Sequence, residues 1–315
     1  MNRYFIFILL HCILLGNYSG GFPGSSFKYG TNAREVALSH STISTYNPGF
    51  NAFNNPAFLP NISNNEYGFS YFSMSLDRSV QSFSISRPLP PSAGISLSVF
   101  RSGTDNIIST SSNFGTPLGN ISQSEGFGML SFGIDLGSLS GGFNIKAYFN
   151  NLDNYSGNGI GFDFGFLYNI NEKINIGLKL NNVSGGYSWD IDSEQYEEDI
   201  PANYSLGISF YNSKNLLITS QIDKIPIIEN IDNNKLYNIY RLGIEYGLDF
   251  YKRKNIPITL RSGLKLVDNK LLYSFGFGLP INISEKIKLN IDYALDPGLV
   301  DEGFSHLFSF TIGNI

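Results

Sequence analysis

The sequence predicts an all-β protein: a 14-stranded antiparallel transmembrane β-barrel with an N-terminal segment plugging the lumen. Three observations predict it. From Glu66 almost to the C-terminus, apolar and polar residues alternate with period 2, so each run presents one greasy and one polar face. The alternation breaks into fourteen runs, an even number, most of them long enough for the roughly 9–11 tilted residues that cross a bilayer. The links between runs alternate in length, short on one side and longer on the other, which is the pattern of periplasmic turns and outer loops.

Taken in order, residues 1–20 read as a cleaved signal peptide. Arg3 supplies the positive charge, Tyr4 to Leu15 is almost wholly apolar, and small residues follow from Gly16 to Gly21. Its removal takes the single cysteine, Cys12, with it. No later run of about 18 apolar residues offers a helical span. With 15% charged and 15% aromatic residues, a net charge of -5 and no basic patch, the chain has no nucleic-acid-binding character.

Residues 21–65 are rich in Gly, Ser, Asn and Pro without a period, and taken alone read as loop. They form the expected plug segment. Residues 66–315 form the barrel. Its alternation is plain where Ile174, Ile176, Leu178 and Leu180 interleave with Asn175, Gly177, Lys179 and Asn181. Phe162, Phe164, Phe166 and Tyr168 lie on one face of their run, with Gly161 and Gly165 on the other. A secreted soluble sandwich would also alternate. Bulky aromatics on one face and glycines on the other suit lipid outside and a crowded interior better. The short links are 88–91, 137–138, 171–173, 212–215, 251–255 and 282–285; those on the other side include the longer 102–124, 150–157, 184–202, 224–236 and 295–302, with only 75–78 and 268–269 tight there.

Asn55-Pro56-Ala57 carries turn chemistry: the residue before proline is held extended, and an Asn side chain bonds backbone two residues on. Asp135, Lys146, Asp163, Lys179, Arg241, Glu245, Asp249, Arg261, Lys265, Lys288 and Asp292 fall on polar faces and would point into the lumen. Both signs occur there, so structural pairing explains them better than an ion-selective ring. Catalysis has little support, since His40 and His306 have no partner spacing, and no cofactor pattern or His/Cys metal spacing occurs. The acidic group from Asp190 to Asp199 reads as a solvated loop, and the adjacent Tyr187 and Trp189 as an interfacial girdle.

The segment Asn32-Ala33-Arg34, then Asn51 to Leu59 around Asn55-Pro56-Ala57, followed by strands, resembles the PorV/PorQ family within the FadL-like group of outer-membrane proteins. Asp292-Tyr293-Ala294 and Ser305 to Phe310 resemble that family's final hairpin. Leu38-Ser39-His40-Ser41 departs from the glycines that relatives carry after the arginine, and the chain ends in Gly313-Asn314-Ile315 rather than an aromatic. The resemblance implies a place in the bacterial outer membrane, in contact with its lipid. It also implies a role in type IX secretion, with exported proteins bearing C-terminal signal domains and other secretion components as partners. The alternative, from the wider group, is a transporter of hydrophobic small molecules. Polar faces of Gly, Ser, Asn and charge argue mildly against a greasy tunnel, and loops 102–124, 184–202 and 224–236 offer a rim for a protein partner.

Overall fold

The computed structural model describes residues 23–110, 115, 117–191, 194–212, 215–230, 233–248, 258–267, 270–284, 286–296 and 304–314. The expected signal peptide and Asp249 lie outside them. The strands are β1 (Glu66–Ser73), β2 (Arg78–Leu89), β3 (Ala93–Thr110), β4 (Pro117–Asp135), β5 (Leu139–Leu152), β6 (Tyr155–Asn171), β7 (Ile174–Val183), β8 (Gly185–Ile191), β9 (Glu194–Ile200) and β10 (Asn203–Asn212). They continue as β11 (Leu216–Asn230), β12 (Asn233–Leu248), β13 (Ile258–Val267), β14 (Lys270–Asn282), β15 (Ile287–Asp296) and β16 (Ser305–Asn314).

Each barrel strand pairs antiparallel with its neighbours, β7 pairs with β10, and β16 closes on β1 from Glu66↔Gly313 to Ser73↔His306. Leaving out the hairpin β8–β9, the closed barrel has fourteen strands. Closure gives each barrel strand a ladder partner on both sides, which a strand needs in lipid. The side-chain period does the rest. On β1, Tyr67, Phe69 and Tyr71 are more than 40% exposed on the outside, while Gly68, Ser70 and Phe72 are buried inside. The same outward apolar rows recur on β6 (Phe162, Phe164, Phe166) and β12 (Tyr240, Leu242, Ile244). Such a belt is stable only against hydrocarbon, so this is a bacterial outer-membrane barrel. No helix among the described residues is long and apolar enough to cross a membrane; the strands do.

The outer links differ from expectation. β3 and β4 run on as a paired ribbon to Thr110↔Pro117, with irregularities between Thr104 and Ile107 and between Ser109 and Thr110. Residues 184–202 hold the hairpin β8–β9, and β11 and β12 pair out to Asn230↔Asn233. Backbone ladders continue past the membrane, but with water on both faces the side chains need not alternate. Periodicity therefore goes silent where pairing does not.

Within the barrel the N-terminal segment is nearly all buried. It comprises a 3-10 turn (Ser25–Tyr29), helix α1 (Ala33–Ala37), helix α2 (Asn51–Asn54) and a second 3-10 turn (Pro56–Asn61). Asn32 caps α1 by accepting from Glu35 N at 3.0 Å. Helix α1 lies against β13 to β16, and the second 3-10 turn against β2 to β6. Inward glycines make the room. A Cβ on Gly142 would stand 2.5 Å from the Pro56 carbonyl carbon and 2.7 Å from Ala57 N. One on Gly276 would stand 2.6 Å from Ala37 Cβ, and one on Gly68 2.6 Å from Gly49 O. The inward glycine row and the course of the segment are one steric fact.

Candidate functional site

Two charge networks hold the segment. Arg34, from α1, reaches β12: its Nε and Nη2 donate to the Glu245 carboxylate at 2.7 and 3.2 Å, and Nη1 donates to Tyr46 O at 2.8 Å. Glu245 also accepts from Arg261 at 2.6 Å, and Arg261 bridges on to Asp292 at 2.6 Å. The second network centres on buried Asp163, which pairs with Lys146 at 2.8 Å and accepts from Asn144 and from Asn182 N. Lys179 donates to Phe53 O, tying β7 to the segment. Arg241 pairs with Asp223 and donates to Ser39 O at 3.0 Å. Lys265 stands opposite Arg241 in the β12–β13 register. Most of the candidate charges thus lie inside the barrel, several of them bonded to the segment itself, whereas Asp135 and Lys288, near strand ends, are exposed. Partner identities were invisible in sequence because they join positions up to 211 residues apart.

Asn55 works at two distances. Its Oδ1 accepts from Ala57 N at 3.1 Å, and its Nδ2 donates to Ile43 O at 2.9 Å and Phe166 O at 3.2 Å. Pro56 begins the second 3-10 turn, where its missing N–H costs nothing. Replacing Asn55 by Ala removes all three bonds and leaves buried carbonyls short of donors. A loss of about 1–3 kcal/mol follows. Limited proteolysis of the purified barrel should then cut residues 23–65 faster than in wild type.

Glu35 and His40 lie on the other side of α1 from Arg34. Burial works to raise the Glu35 carboxyl, but hydrogen bonds from His40 and Thr31 outweigh it and bring the value down to about 2. Burial pushes His40 below 6.5 despite Glu35, so at neutral pH its ring is uncharged and bonded to Glu35 at 3.0 Å. Both effects make acid loosen the seat. The Glu35 contribution is complete above about 4.5 and is lost as pH falls toward 2, while His40, held neutral in the seat but free to take up a proton once released, favours release as pH drops below 6.5. Pepsin should therefore release the segment progressively faster below about pH 4.5, and Glu35→Gln should flatten that dependence.

Between the segment and the wall lies a cavity of about 170 Å³. Charged and amide groups line one part of it, among them Lys146, Asp163, Lys179, Asp223 and Asn203. Phe27, Ile43, Phe53, Phe127, Met129 and Ile225 line the rest. The apolar part extends beyond the cavity as an arc on β1 to β5: Phe72, Val80, Phe100, Phe127, Met129 and Tyr148 all point inward and are at most 5% exposed. Phe27 sits among them, 5.0 Å from Phe127 edge to face and 5.8 Å from Tyr148 in a stack. The inward faces of Gly, Ser, Asn and charge that argued against a greasy tunnel thus make up only part of the lumen. Polar inward faces dominate nearer the periplasm, as in the serine contacts Ser84–Ser98 at 2.9 Å and Ser70–Ser82 at 2.7 Å, and apolar ones take over toward the outer end.

A second chamber of about 340 Å³ lies on the periplasmic side, lined by Arg34, Tyr46, Pro48, Glu245, Arg261 and Asn290 among others. Helix α1 stands between the two, with Glu35 and His40 facing the outer cavity and Arg34 the periplasmic chamber.

Solved structures match the fold over most of the chain. The monoaromatic hydrocarbon channel CymD matches with a TM-score of 0.64 at 11% identity, over 90% of this chain and 97% of that one. The toluene transporter TodX of Pseudomonas putida matches at 0.63 and 12%, over 90% and 97%. A FadL homologue of Pseudomonas aeruginosa matches at 0.56 and 11%, over 90% and 98%. The fold is that of the FadL-like channels. No protein-family model and no curated protein matches the chain.

The hairpin β8–β9 overturns one expectation. Tyr187 is not part of an interfacial girdle: it is 1% exposed, its hydroxyl donates to Glu125 at 3.1 Å, and its ring meets Tyr148 and Trp189. Glu125 in turn accepts from Gly24 N and Ser26 Oγ, both at 2.6 Å. The hairpin bends over the lumen, so an aromatic that sequence position places at the membrane boundary ends inside. The acidic side chains Glu194, Glu197, Glu198 and Asp199 stay exposed on it, as a solvated loop would. No cluster of metal-ligating side chains occurs among the described residues.

Proposed function

We propose that the protein passes small hydrophobic molecules across the outer membrane through its lumen. The observation that carries this reading is the inward apolar arc, continuous with a cavity bounded by Phe27, Phe53 and Phe127. Aromatic and thioether side chains bind apolar rings well, and the polar groups beside them can fix a ligand's orientation. CymD and TodX, named as a monoaromatic hydrocarbon channel and a toluene transporter, make that ligand class the first to try. Lumen charges support the reading indirectly. Lys146 is paired with Asp163 and Arg241 with Asp223, so they form no one-signed ring for ions.

The secretion role implied by the PorV/PorQ resemblance is the second reading. The exposed acidic hairpin favours it, as a surface for a basic segment of an exported protein. Cells lacking their own hydrocarbon channels decide between the two. With this protein in their outer membrane they should take up toluene faster than cells without it. Equal uptake, with exported proteins recovered on cross-linking, would replace the first reading by the second.

A further inference from the structure

The inward arginines Arg34, Arg241 and Arg261 each meet a carboxylate. Arg101 does not. On β3 the residues Ser98, Phe100 and Ser102 are buried inside, so Arg101 faces out with Leu97 and Val99, which are 60% and 44% exposed. It stands at the upper edge of the apolar belt. Its neighbours across the ladders are Gln81 on β2 and Gly126 on β4, and the next outward position on β3 is Gly103. Among the described residues its guanidinium makes one hydrogen bond, from Nη1 to Gln81 Oε1 at 3.1 Å, and pairs with no acidic side chain.

The guanidinium is seated rather than trailing. Gln81 accepts from it, and the Gln81 Nε2 donates to Ser79 Oγ at 2.9 Å, so both ends of that amide are fixed. A Cβ on Gly103 would stand 3.2 Å from Nη1 and Nη2 and 3.3 Å from Cζ. Three nearly equal distances put the planar group face-on over Gly103, flat against the wall. An arginine that only snorkels reaches away from apolar surface into water. This one lies where the wall is cut back to receive it. Laid flat, the fork keeps its remaining N–H groups in the plane of the wall, open to a group at the membrane surface. Ser124, opposite Gly103 on β4, brings a hydroxyl to the same level. Phe149 leans over Gly126, its Cζ 2.6 Å from where a Cβ would stand, and Tyr71 lies opposite Gln81 on the other side.

We propose that Arg101, held flat over Gly103 by Gln81, binds the phosphate headgroup of an outer-leaflet lipid whose acyl chains lie along Val99, Leu97 and Phe83. A planar guanidinium presents its donors in the geometry that phosphate oxygens match, which an ammonium does not. Position and charge choose the occupant. A cation without a carboxylate, facing out at the top of the belt, meets lipid headgroups, and the apolar residues directly below it meet the chains of the same lipid. Asp77 and Asp105 lie further out and are exposed to water, where screening weakens their repulsion of a phosphate. The site is independent of whatever crosses the lumen.

The test is native mass spectrometry of the purified barrel in detergent, titrated with phosphorylated lipid A. Wild type should retain the lipid, and Arg101→Gln should weaken its binding about tenfold, the size of a lost charged hydrogen-bonding group. Arg87→Gln is the control, since Arg87 also faces out but at the periplasmic end of β2, and it should bind as wild type does. Gly103→Val fills the seat of the guanidinium and keeps its charge in the chain. It should weaken binding as Arg101→Gln does, and it decides the matter if Arg101→Gln gives no heat-shifted barrel. Lipid A stripped of phosphate should bind wild type no better than the phosphorylated lipid binds Arg101→Gln. Excess inorganic phosphate at constant ionic strength should leave the bound lipid in place. Wild-type affinity in the folded variants, or equal binding of the stripped lipid, would overturn the site. Displacement by inorganic phosphate would overturn the lipid as its occupant.

Discussion

Glu245→Gln is expected to be the most damaging single change inside the barrel, lowering stability by about 3–5 kcal/mol. Its carboxylate is shared by two buried guanidinium groups, Arg34 at 2.7 Å and Arg261 at 2.6 Å. The amide keeps the shape and removes the charge, so Arg34 and Arg261 are left with only Asp292 between them. Removing one partner of a buried pair strands the other's charge, which costs far more than the pair contributes. Arg34→Met should cost less, because the Glu245–Arg261–Asp292 chain survives it. The double variant should be less damaged than the sum of the two singles, as expected for partners in contact. The temperature at which the fast-migrating folded band is lost on gels measures all three. An Arg34→Met variant as unstable as Glu245→Gln would show that the shared carboxylate is not the keystone.

Gly142→Val is expected to dislodge the N-terminal segment while leaving the barrel closed. The contact is with backbone, Pro56 and Ala57, which cannot swing aside as a long side chain can. Overpacking of this kind costs about 1–3 kcal/mol where the neighbours move, and here movement means leaving the seat. Gly128→Val on β4 is the matched control, since nothing lies within 4 Å of a Cβ there. Single-channel recordings in planar bilayers should show larger conductance for Gly142→Val alone, with faster proteolysis of residues 23–65. Equal conductance in the two variants would mean that the segment does not limit passage.

Much of the architecture is legible in one dimension because lipid imposes a rule on every strand. Outward side chains at Phe162, Phe164 and Phe166 must be apolar, so the period shows in the residues themselves. Past the lipid the rule lapses. The hairpin β8–β9 and the β3–β4 ribbon are held by backbone bonds, which carry little sequence signature. Inside the barrel the rule is packing, and it reads unevenly. Gly142, Gly165 and Gly276 signal a crowded interior without saying what touches each. Phe72, Phe100 and Phe127 keep the parity of inward positions but are apolar, so the arc was in principle visible as aromatics on the polar face near the outer strand ends. Polarity alone passes over it.

What the sequence by itself determined is where the chain resides and how its strands alternate, because both follow from the solvent each side chain must face. Only the tertiary structure decided which inward charges meet and where the lumen turns apolar. Those depend on contacts such as Arg34 with Glu245 and Tyr187 with Glu125, and on a hairpin that bends inward instead of rising along the wall. Contacts between distant positions are chosen by closure of the barrel around its own N-terminal segment, and no local pattern records that choice.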